Sequence, residues 1–143
     1  MGEDISRLSL FIDAQSDGTY AQALDELRAG RKVGHWMWFV CPQIAGLGSS
    51  PTSRRYAIDS LAEASDYLHH PVLGPRLVEC ARAVLSHPGA TAHQIMGSPD
   101  DVKLRSSMTL FASADESEPV FQQVLDTFFG GERDPRTVEI LSA

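Results

Sequence analysis

The stretch GHWMWFVCPQIAGLGSS, residues 34–50, gathers side chains that can hold or transform a ligand. His35 carries an imidazole, the one side chain that ordinarily titrates near neutral pH. Trp38 brings a ring with an apolar body and a polar N–H. Gln43 and the loop Gly46-Leu47-Gly48-Ser49-Ser50 come next. That loop looks like a fragment of a phosphate cradle, but no strand precedes it. It also lacks the third glycine or the Lys-Ser/Thr ending that such cradles need. Its plain reading is a connection. Pro51 then opens a helix whose first amides could hold an anion, with Arg54 and Arg55 close behind. A helix start favours acids over bases, so two arginines there make most sense beside a negatively charged group. The expected ligand-binding residues are Trp38, Gln43, Gly46, Gly48, Arg54 and Arg55. The expected acid–base residue is His35, with Lys103 or Arg54 stabilising charge.

Other chemistries find less support. Lys103, Ser106, Ser107 and Leu110 fall on one face of a helix, and a lysine beside a serine can act as base and nucleophile. No oxyanion hole accompanies them, and serines in such a helix commonly bond back to the preceding turn. Cys41 lies in apolar surroundings that raise a thiol's pKa and leave it inert. His69 and His70 are adjacent and point to different faces, and no paired-cysteine or HExxH spacing occurs. No metal and no cofactor are therefore expected.

Charge narrows the partners. The 143 residues carry a net charge of -7, which argues against general nucleic-acid binding. The distribution is uneven, because no acidic residue lies between Glu26 and Asp59 while Arg28, Arg31, Lys32, Arg54 and Arg55 do. That window encloses both tryptophans. Two cysteines make no disulfide framework, no signal peptide is evident, and no run approaches the ~20 apolar residues that span a bilayer. A cytoplasmic protein away from membranes is the expectation.

Helical punctuation organises the chain. A short helix holds Leu8, Phe11 and Ile12. Asp17 is placed to cap a helix ending at Gly30, and Ser60 with Glu63 fits a capping box. Pro71 ends that helix and Pro75 suits the first turn of the next. Thr91 with Gln94 is a second capping box. Ser98-Pro99-Asp100-Asp101 opens a further helix, in which Asp101 and Arg105 form an acid-before-base pair. Val120, Phe121, Val124, Leu125, Phe128 and Phe129 make the clearest apolar stripe, and Asp134-Pro135 opens a last helix. Trp36–Val40 could by periodicity be strand or helix. A lone strand would leave its backbone unpaired, so it reads as a buried helix ended by Pro42. The result is one all-α domain over residues 1–143, with seven or eight short helices around a central aromatic one.

The segments GRKVGHWMWFVCPQIAGLGSS, RRYAI, YLHHPVLGPRL and DDVKLRSSMTLFA resemble a bacterial family of uncharacterised proteins, domain of unknown function 1810. The resemblance runs from about Ala14 to Leu141. It implies a small, mainly helical, single-domain protein and brings no established activity. The family pattern has an aromatic residue where Cys41 stands, which weighs against shared chemistry at that thiol. Some members are labelled calpastatin, whose inhibitory segments are disordered and polar. The apolar stripes here belong to a packed domain.

Two functions follow from these readings. The first is a pocket for an anionic, nucleotide-like small molecule, with hydrolysis or transfer as the class of any turnover. The second is a non-enzymatic interaction module that presents the basic patch to an acidic protein surface or a nucleic-acid end.

Overall fold

The computed structural model describes Gly2–Ala143, with side chains from Arg7 onward, and is all-α. Among the described residues there are ten helices: α1 (Gly2–Gln15), α2 (Thr19–Ala29), α3 (Met37–Val40), α4 (Pro51–Arg55), α5 (Leu61–His69), α6 (Leu73–Leu85), α7 (Ala92–Met96), α8 (Asp100–Ala114), α9 (Val120–Phe129) and α10 (Pro135–Ser142). Ten exceeds the expected seven or eight, and α3, α4 and α7 are helices of one turn or little more. The first helix is also longer than its apolar residues suggest.

The long helices α5, α6, α8 and α9 pack together, and α2 lies against α6. Apolar positions on each meet in one core. Phe11, Tyr67, Phe111 and Phe121 are fully buried, and their rings form a chain of edge and tilted contacts at 5.3–5.8 Å. Such spacings suit aromatic pairs. The short turn between α5 and α6 closes tightly: a Cβ added to Gly74 would lie 2.0 Å from the Leu68 carbonyl oxygen, so glycine is required there.

Local signals located most helix starts. The Thr91 hydroxyl accepts from Gln94 N–H while the Gln94 side chain accepts from Thr91 N–H, a complete capping box. Asp134 caps α10 through Thr137 N–H, and Pro135 sits at its first position. Four expectations change in detail. The residue capping α2 is Gly18, not Asp17, because both have left-handed backbones and no side chain reaches the helix. Ser60 caps α5, but Glu63 turns to Asp59 N–H and Arg7 instead of closing the box. Pro99, not Ser98, borders α8, with no side-chain cap. Asp101 pairs with His93, while Arg105 reaches Glu132 and the Arg133 carbonyl. Long-range partners outcompete the weak i,i+4 pair.

The aromatic stretch is helical but brief: Trp36 borders α3 and Cys41 ends it. The chain then makes an isolated parallel bridge between Ile44 and Ile58. Ile58 N–H donates to the Gln43 carbonyl and Ala45 N–H to the Ile58 carbonyl, both at 2.8 Å. This bridge ties together the ends of the loop that carries Gly46, Gly48 and α4.

Candidate functional site

Two tryptophans two residues apart meet different surroundings. Trp36 is core, 2% exposed. Its indole N–H donates to Glu26 at 2.9 Å, and the same carboxylate accepts from Val33 and Gly34 N–H. Burial pulls the Glu26 pKa up, yet the bonds from Gly34, Val33, Gln22 and Trp36 outweigh it and hold the group at about 2. The loop before α3 is therefore clamped to α2, which fixes where α3 begins.

Trp38, on α3, is half-buried and lines a cleft of about 480 Å³. Gln43, Gly48 and Ser49 come from the bridged loop. Val102, Lys103 and Ser106 come from α8, and Asp134 and Arg136 from the start of α10. The Lys103 ammonium lies 3.9 Å from the Trp38 ring centroid, a cation–π contact. It also pairs with Asp100 at 3.3 Å, and Asp100 in turn holds Lys32 at 2.7 Å. Lys32 is nearly buried and lies 4.9 Å from the Trp36 ring centroid. Two ammonium groups thus share one carboxylate and leave a net positive charge beside the indoles.

Arg136 reaches the cleft because α10 is docked on α8. Asp134 N–H donates to the Thr109 hydroxyl, which itself donates to the Arg105 carbonyl, while Arg105 holds the carbonyls of Glu132 and Arg133. The Arg136 guanidinium is exposed and has no ion pair or hydrogen bond among the described residues. The Gln43 side-chain amide is likewise unpartnered among them.

Two smaller hollows adjoin Trp38. One, of about 110 Å³, is lined by Gly46, Gly48, Arg54 and Tyr56. The other, of about 350 Å³, is lined by His35, Met37, Met96 and Asp100, and shares Trp38, Pro99 and Lys103 with the cleft. His35 is exposed, sits at this second hollow, and does not line the cleft. Arg54 lines only the smallest hollow. Arg55 lines none of the three and lies 5.7 Å from the Tyr56 ring centroid. Lys103 and Ser106 face the cleft, whereas Ser107 and Leu110 are fully buried in the core.

The glycines of the loop have structural reasons to be there. A Cβ on Gly48 would lie 2.6 Å from the Ser53 hydroxyl, and Gly46 has a φ of 103°. Two of the first α4 amides are already used, since Ser53 N–H donates to the Ser50 hydroxyl and Arg54 N–H to the Ser50 carbonyl. The positive charge at the cleft is therefore that of side chains, Lys103 and Arg136. Burial pushes the Cys41 thiol up to about 12, so it carries no thiolate at neutral pH. Among the described residues, no group of three or more His, Cys, Asp or Glu side chains could hold a metal ion, and no helix is long and apolar enough to cross a membrane.

Arg136 escaped the sequence reading, although it bore the signal that drew attention to Arg54 and Arg55: a cation in the first turn of a helix. In the Lys32–Asp100–Lys103 bridge the Asp100–Lys103 pair is local, three residues apart on α8, but Lys32 comes from far along the chain and had no local signature.

A family model described as "Protein of unknown function (DUF1810)" matches residues 5–141. The chain is also similar to the conserved hypothetical protein Rv1873 from Mycobacterium tuberculosis, known from a crystal structure. The TM-score is 0.92 at 51% identity, covering 95% of this chain and 96% of that one. No curated protein matches.

Proposed function

The chain belongs to the DUF1810 family of proteins of unknown function, and we propose that its Trp38 cleft binds an anionic small molecule with a planar ring, of the nucleotide class. One observation carries this reading. An indole, an ammonium on its face and an unpartnered guanidinium line a single cleft of about 480 Å³, a volume typical of small-molecule sites. The indole packs against the ring, as aromatic side chains do with bases. Lys103 and Arg136 take the phosphate, and Arg54 adds positive charge from the adjoining hollow. Gln43 offers donor and acceptor to the ring edge. His35 is the acid–base group for any hydrolysis or transfer, acting from the hollow that it shares with Lys103.

The test is thermal unfolding at low salt with ADP, adenosine or inorganic pyrophosphate. ADP at a hundred times its dissociation constant adds about 2.7 kcal/mol, several degrees in Tm. Arg136→Ala and Lys103→Ala reduce the shift, and Arg55→Ala does so least. A Tm unmoved by all three compounds overturns the proposal.

A further inference from the structure

The cleft and the 350 Å³ hollow are neighbours with a partition in common. Trp38, Pro99 and Lys103 line both. Each space alone is about right for one nucleoside-sized or sugar-sized group, and together they approach the upper range of ligand sites. Their characters differ. The cleft has Val102, Gln43 and Arg136 on its walls, whereas the hollow has Met37, Met96, His35 and Asp100. Positive charge is concentrated where they join. Lys103 stands in the partition, and Lys32 and Lys103 together outnumber the single carboxylate of Asp100.

We infer that these two spaces form one bipartite site for a two-ended ligand whose halves are joined through a diphosphate. This rests on the reading of the cleft as a nucleotide site and names the class of ligand. The base-bearing half lies in the cleft against Trp38. The diphosphate crosses the partition at Lys103, where an ammonium is already held between an indole face and a carboxylate. The second half, a sugar or similar hydroxyl-bearing group, enters the hollow beside Asp100 and His35. Asp100 Oδ1 and Oδ2 accept from the two lysines and keep lone-pair capacity for a ligand hydroxyl. The second half is thereby placed next to the imidazole, which explains why His35 sits beside the cleft and not in it.

The test compares ADP with ADP-glucose, and UDP with UDP-glucose, by calorimetric titration of the wild-type chain and of His35→Ala. The His35 side chain is exposed and unpartnered among the described residues, so its loss does not threaten the fold. At least one sugar nucleotide is expected to bind tenfold or more tightly than its parent diphosphate. His35→Ala is expected to cut that ratio at least fivefold. Equal binding of diphosphate and sugar nucleotide, with a ratio that His35→Ala does not move, overturns the bipartite site and leaves the cleft reading standing. No binding by any of the four overturns both.

Discussion

Trp36 and Trp38 are two residues apart, and each has a lysine ammonium near its ring, at 4.9 Å and 3.9 Å. Both ammoniums are tied to the same carboxylate, Asp100. The similarity ends there. Trp36 is enclosed and its N–H is spent on Glu26. Trp38 is half-open, its N–H has no partner among the described residues, and it lines three hollows. The pair shows that an aromatic run of uniform composition can divide its labour by position. One indole anchors the chain, and the next faces the space that the anchoring creates.

Substitutions should separate the two roles. Trp36→Ala leaves a large hole in the core and is expected to cost about 3–5 kcal/mol by denaturant unfolding. Trp38→Ala, at a half-open position, is expected to cost well under half of that while abolishing stabilisation by ADP. Glu26→Ala strands the buried indole N–H and two backbone amides, for a loss of about 2 kcal/mol. The same carboxylate predicts a pH effect. Its folded pKa of about 2 lies below the ordinary value of 4.5. Its contribution is therefore complete above pH 4.5 and is lost as the pH falls toward 2. An acid titration of Tm should show this loss in the wild type, and Glu26→Gln should flatten it. Lys103→Ala removes a partly exposed pair and a cation–π contact, so its effect on stability is the smallest, under about 1 kcal/mol.

Much of the fold was legible because helix starts are local. Thr91-Gln94 and Asp134-Pro135 announce themselves within four residues, and the structure uses both. The all-α reading of Trp36–Val40 held because a single strand there would have lacked partners. Non-local events stayed out of reach. Glu26 clamps a loop seven to ten residues later, and Thr109 docks Asp134 from another helix, which is what delivers Arg136 to the cleft. The basic window of the sequence also divides in space. Lys32 turns inward to Asp100, Arg54 lines a side hollow, and Arg55 lies over Tyr56. Charge counted along a chain does not show which side chains will share a cavity. The loop glycines carried a second ambiguity. Their spacing suggested phosphate, while Gly48 makes room for Ser53.

Tryptophan fluorescence of a Trp36→Phe variant, in which Trp38 is the only indole, gives the sharpest reading of the cleft. Titrating ADP at low salt is expected to change that emission saturably, with the same midpoint as the rise in Tm, and Trp38→Phe is expected to show no such change. An emission that stays constant while ADP still stabilises the protein would place the ligand elsewhere and contradict the assignment of Trp38.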